Sequence, residues 1–249
     1  MNLTLKRRQT AKATPDAMTL AEHLAELRRR VVVSAVAFVV MATVAFVAYN
    51  PILAFLKHPY CQAAPAHCGF YVTGPLDGLS LRVHISAYGG LFLASPVMLW
   101  QLWRFITPGL KPNEKRYAVP FVVSSILLFA LGCVVAFVIF PHALGFLDHI
   151  GGPSLHQIID PTKYLSLIVL LMAIFGITFE LPVLLVSLEL AGVLSPRKLS
   201  SWRRWAIIVV VVVAGVITPS SDPFSMLALA IPLYLFYELS IVIGKLLGR

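Results

Sequence analysis

Charge is scarce in this chain. Of its 249 residues only 12% are Asp, Glu, Lys or Arg against 59% hydrophobic, and mean hydropathy is +0.85. So little polar surface cannot coat a soluble core of this size, which excludes intrinsic disorder, a coiled coil and a soluble two-domain enzyme. Three cysteines are too few for a disulfide-dense secreted module. Carboxylates are scarcer than cations, with eleven Asp and Glu facing twenty Lys and Arg. The signatures of common chemistry are missing too: there is no G-x-x-x-x-G-K-[ST], H-E-x-x-H, G-x-S-x-G or dinucleotide fingerprint, and so no visible means of using ATP or cutting a peptide bond. What remains is apolar length, and the chain reads as an all-α integral membrane protein.

A hydrocarbon core of ~30 Å takes about 20 helical residues. Six runs qualify or approach it: Val31–Tyr49, Val83–Leu102, Tyr117–Phe140, Tyr164–Leu188, Ala206–Ile217 and Phe224–Ile243. The fifth has twelve uninterrupted apolar residues, and the sixth is broken by Pro232 and Glu238. Two such short helices favour local bilayer thinning or oligomerisation. The first run is too long for the core of a signal peptide and reads as a retained anchor.

Orientation follows from the cations. Seventeen of twenty fall in the leading segment, the 2/3 loop, the 4/5 loop and the tail, leaving Lys57, Arg82 and Lys163 opposite. Positive charge stays inside, so both termini are expected in the cytoplasm. Trp100, Trp103, Trp202 and Trp205 all fall at that inner boundary, where an indole is expected to rest its ring in lipid and its N–H in water. The basic balance is a topology signal rather than a nucleic-acid signature. Residues 1–18 form a basic tail and 19–249 one six-span domain.

Ahead of the first span, Thr19 and Glu22 have capping-box spacing, and Leu20, Leu24, Leu27 and Val31 share one face. A short amphipathic helix is expected along the membrane surface, with His23 and Glu26 turned to water or a partner. Glu26 also stands four residues before Arg30, a spacing that supports a simple helix ion pair. The 2/3 loop, Arg104 to Arg116, holds two prolines, a glycine and a single carboxylate, Glu114, with Phe105 at the water boundary. On so cationic a face, Glu26 and Glu114 are either counterions or receptors for an incoming guanidinium, which suits two-pronged carboxylate contact.

Within the fourth span, Glu180 is a costly intramembrane carboxylate, and Pro182 cannot donate to the Thr178 carbonyl, so a polar notch is expected there. It reads as a proton relay, an acceptor for a partner's polar side chain or a packing hydrogen bond. Glu189 and Glu238 lie nearer helix ends, within expected reach of water. Asp222 suits a cap at the start of the sixth span. Two exported segments, Asn50 to Ser80 and Pro141 to Lys163, are rich in proline and glycine and are expected to fold over the outer face. In the first, Cys61 and Cys68 are spaced to close a disulfide ring in an oxidising compartment, whereas adjacent His67 and Cys68 fit no zinc module. No metal or cofactor is expected. A proton-coupled solute carrier built on Glu180 is the alternative function.

The ordered segments H-L-A-E-L-R-R-R, S-P-V-M-L-W-Q-L-W-R-F-I-T-P-G-L-K-P-N-E-K-R, Y-L-S-L, F-G-I-T-F-E-L-P-V and T-P-S-S-D-P-F-S, between Thr19 and Leu247, carry a resemblance. The chain resembles the TatC family, the Sec-independent twin-arginine protein translocase subunit. That resemblance implies a non-enzymatic receptor in the bacterial cytoplasmic membrane. It implies binding of twin-arginine signal peptides of folded precursors, work with TatA- and TatB-like single-span partners, export driven by the proton-motive force and a homo-oligomeric assembly. It further implies that Glu26 and Glu114 meet the two arginines, with Phe105, Leu24, Leu27 and Arg28 around them. Glu180, with Thr178 and Pro182, then faces partner helices, and Pro59 and Asp222 shape the outer loops.

Overall fold

The computed structural model describes residues 20–63, 69–71, 74–106, 118–151, 160–218 and 223–246. Thr19, Cys68, Glu114 and Asp222, all singled out above, lie outside these residues. Among the described residues the regular structure is entirely helical. Helix α1 (Leu20–Val47) joins the expected surface helix and the first span without a break, with Glu22 in its first turn where the helix dipole favours a carboxylate. Helix α2 (Tyr49–Ala63) makes an ordered element of the first half of the Asn50 to Ser80 segment, and Pro59 is buried inside it. Helix α3 (Asp77–Ile106) starts where Asp77 Oδ2 accepts from the Gly74 amide at 2.6 Å.

Helix α4 (Ala118–Gly151) corrects a boundary. The sequence suggests a third span ending at Phe140 and a loop from Pro141, yet the helix continues through that proline. An interior proline costs roughly 3 kcal/mol. Phe140 and Ala143, both 1% exposed, flank it and bury apolar surface that offsets the cost.

The fourth span is two helices, α5 (Pro161–Thr178) and α6 (Leu181–Leu190). Asp160 caps α5 by accepting from the Thr162 amide at 2.8 Å, with Pro161 in the first turn, where a missing N–H is harmless. Helix α6 ends at Gly192, whose φ of +74° suits glycine. The Val193 amide reaches back to the Leu188 carbonyl at 3.0 Å and the Gly192 amide to Glu189 at 3.1 Å. Helices α7 (Pro196–Ser201), α8 (Arg203–Ile217) and α9 (Pro223–Leu246) complete the order.

Among the described residues five segments are long and apolar enough to cross a bilayer: Ala21–Val47, Asp77–Ile106, Val119–Phe146, Pro161–Leu190 and Ser225–Leu246. The molecule is a multi-pass membrane protein. The fifth expected run, α8, has 15 residues, a rise of about 22 Å against a core of ~30 Å.

Packing is uneven. The α5–α6 span is the hub, with more than half of its apolar stretch buried, whereas α1 buries almost nothing and rests chiefly on α3. A Cβ placed on Gly90 of α3 would fall 2.6 Å from the Ala42 backbone, so glycine is what lets α1 lie that close. Beside α2, the Tyr164 hydroxyl donates to the Leu56 carbonyl at 2.8 Å, and the Tyr60 and Phe70 rings stack on each other with Tyr164 tilted against both. Cys61 there is disulfide-bonded, while Cys133 is free and buried in α4.

Candidate functional site

Two carboxylate sites flank the last turns of α3. The first lies between α1 and α3, at the end of the bundle that carries Arg28, Arg29 and Arg30. His23, Glu26 and Arg30 recur every three or four residues, so α1 aims all three at one side. There the His23 ring stacks on Phe105 of α3, with centroids 4.4 Å apart and planes 24° from parallel. Arg30 donates from Nη2 to Glu26 Oε1 at 2.8 Å and from Nη1 to Gln101 Oε1 at 3.1 Å. The Glu26 and Arg30 side chains are each 18% exposed, so water screens the pair only in part. Glu26 Oε2 and Arg30 Nε are buried with no partner among the described residues.

Glu26 and Phe105 thus share a site, joined through His23 and Gln101. Leu24, Leu27 and Arg28 do not turn inward; all three are exposed on the rest of the α1 surface. The helix ion pair with Arg30 that the sequence allowed is formed, but it is tied to a second helix rather than lying free on the surface. Gln101 went unnoticed in the sequence, although it sits one turn before Phe105 and therefore on the same face.

The second site is at the α5–α6 junction. Glu180 occupies the cap position of α6 without capping it by its side chain, and Pro182 takes the first turn. The proline therefore restarts a helix instead of leaving a gap inside one. Glu180 is 9% exposed. The Ser125 hydroxyl hydrogen-bonds its carboxylate, and Ser125 Oγ accepts from Trp103 Nε1 at 2.6 Å. Glu180 Oε1 has no partner among the described residues.

Trp103 is a correction to the expected interfacial belt. Its ring is 1% exposed and packs on Phe121, while Trp100, Trp202 and Trp205 stay exposed. Glu189 is a second correction, since it does not reach water. It is 1% exposed, pressed against Gly244 of α9, and both oxygens lack partners among the described residues. Glu238 holds Arg203 at 2.7 Å and accepts from the Tyr234 hydroxyl at 3.1 Å, pinning the start of α8 to α9. Among the described residues no group of three His, Cys, Asp or Glu is placed to hold a metal ion.

The family model described as Sec-independent protein translocase protein (TatC) matches residues 22–232. The chain belongs to the TatC family. Among its relatives, a Sec-independent protein translocase protein TatC of Frankia casuarinae is 42% identical over 97% of this chain and 70% of that protein. TatC of Aquifex aeolicus is 39% identical over 93% of this chain and 97% of its own. The crystal structure of a twin-arginine translocase receptor TatC matches with a TM-score of 0.74 and 38% identity, covering 92% of this chain and 100% of that one. The matched stretch takes in the α1–α3 site, the 2/3 loop with Glu114, and the Glu180 junction.

Proposed function

We propose that this protein is the receptor subunit of a twin-arginine translocase. It binds twin-arginine signal peptides of folded precursors at its cytoplasmic face and supports their export with TatA- and TatB-like single-span partners, driven by the proton-motive force. It is a transport component and not an enzyme. The observation that carries the reading is Glu26, a half-satisfied carboxylate one turn along α1 from the His23 ring that stacks on Phe105, in a chain that matches the family over residues 22–232. Glu114, in the proline-containing 2/3 loop that follows Phe105, is the second carboxylate for the paired arginines. The approach crosses a basic surface, so long-range attraction does not recruit the peptide. Recognition must come from short, partly desolvated contacts at the two glutamates.

Six spans complete this reading. Helix α8 is a short fifth crossing, both termini are cytoplasmic, and the membrane is the bacterial cytoplasmic membrane. The exposed β-branched face of α8, with Val209, Val212 and Val216 outward, and the Glu180 junction offer docking surfaces for single-span partners. Further copies of the chain join the complex.

Photocrosslinking of a twin-arginine signal peptide to probes at positions 26 and 114, in membranes, tests the receptor role. Adducts should require both arginines and vanish with Glu114→Lys. Their absence from folded, inserted protein would return both glutamates to counterions. Cysteines at Val209 and Val212 should crosslink to a single-span partner more strongly than one at buried Val210, and equal yields at all three would remove α8 as the docking face.

A further inference from the structure

We propose that Arg30 is a specificity-determining residue of the recognition site: a resident guanidinium that an incoming one must displace from Glu26. The proposal rests on the receptor reading above. Arg30 divides its two terminal nitrogens between two acceptors, Glu26 Oε1 at 2.8 Å and Gln101 Oε1 at 3.1 Å. An unconstrained arginine and glutamate close as fork on fork, with two parallel N–H···O bonds. Here Gln101 draws the guanidinium aside, and the other half of each fork, Arg30 Nε and Glu26 Oε2, is buried with no partner among the described residues. Glu26 is therefore half occupied by the protein's own arginine.

This arrangement discriminates between cations. A lysine ammonium is a compact point charge. It either takes Glu26 Oε2 beside the Arg30 charge or replaces the Arg30 bond one for one, and it gains little. An arginine presents two parallel N–H groups and takes both oxygens, replacing one bond by two. Arg30 keeps its hold on Gln101 meanwhile, so its charge is not stranded. Selectivity for arginine over lysine then arises from the resident competitor as well as from the carboxylate, a rejection built into the site.

The test uses the full chain in lipid nanodiscs and fluorescent signal peptides bearing twin arginines or twin lysines. Arg30→Gln should tighten twin-lysine binding by about tenfold, the equivalent of one bond to a charged group. Arg29→Gln makes the same change of charge at an exposed neighbour and should tighten it by less than about threefold, as a screened surface charge does. Gln101→Leu removes the holding point and lets Arg30 close both prongs on Glu26. It should weaken twin-arginine binding about tenfold in the native background and leave it unchanged in Arg30→Gln.

If Arg30→Gln matches Arg29→Gln, or if Gln101→Leu acts equally with and without Arg30, in variants that unfold thermally like the parent, the competitor role is overturned. Glu26→Gln separates the two levels of inference. Weakened peptide binding there keeps the receptor reading whatever Arg30 does, and unchanged binding overturns both.

Discussion

Gly90→Ala should loosen the recognition site from the middle of the membrane. The added Cβ would lie 2.6 Å from the Cα and the amide nitrogen of Ala42 and 2.7 Å from its Cβ. Non-bonded carbons settle at ~3.5–4.0 Å, so α1 and α3 must separate by roughly 1 Å. The obstacle is backbone, and no side-chain rotation relieves it. Overpacking of this kind costs about 1–3 kcal/mol. Gln101 lies eleven residues further along α3, about 16 Å away, on the same rigid helix. The separation should carry that far, opening the Arg30 to Gln101 bond, now 3.1 Å, to roughly 4 Å, where it is lost. Signal-peptide affinity should then fall about tenfold, the worth of one bond to a charged group. Peptide binding and thermal unfolding in nanodiscs read both effects. Gly78→Ala is the control, because a Cβ there meets nothing within 4 Å and alanine is the better helix former. If Gly90→Ala unfolds and binds like Gly78→Ala, the close approach is not what positions the site.

Two further outcomes follow from the buried carboxylates. Ser125→Ala removes the hydroxyl between Trp103 and Glu180 and leaves an indole N–H and a carboxylate short of partners; it should cost about 1–2 kcal/mol by thermal or denaturant unfolding in detergent. Adding Trp103→Phe should cost less in that background than alone, a non-additivity that a double-mutant cycle reads directly. Gly244→Ala places a methyl group on the Glu189 carboxylate and should lower the unfolding midpoint, and Glu189→Ala in the same chain should restore it; no rescue would show that the two residues do not share that space.

Apolar runs and proline positions made much of the fold legible. The long spans appear where hydropathy puts them, and the Glu180 and Pro182 pair marks the break between α5 and α6. Boundaries failed where packing overrides local preference, as at Pro141, which α4 absorbs because Phe140 and Ala143 are buried beside it. Burial of single polar residues was misread for a related reason. Trp103 has the position of an interfacial indole, and what buries it is Phe121 and Ser125 on another helix. Glu189 looks like a helix-end carboxylate until α9 lays Gly244 against it. In the α1–α3 site the helix pair of Glu26 and Arg30 was readable from spacing alone. The bond to Gln101 spans 71 positions, and no local pattern encodes a contact of that range.

The last turns of α3 tie these features together. Gln101 and Phe105 are one turn apart and face α1, whereas Trp103, midway between them, points to the opposite side, as a residue two positions away on a helix must. On one side α3 holds the Arg30 guanidinium and the His23 ring. On the other its indole N–H fixes Ser125, which in turn holds the intramembrane Glu180. Helix α1 rests chiefly on α3 and buries little else. The placement of the surface carboxylate therefore depends on how firmly α3 is seated against α4 and the α5–α6 hub. A site carried by a helix with one main packing partner can hold a fixed geometry only if that partner is locked from behind, and the Trp103–Ser125–Glu180 chain is the polar part of that lock.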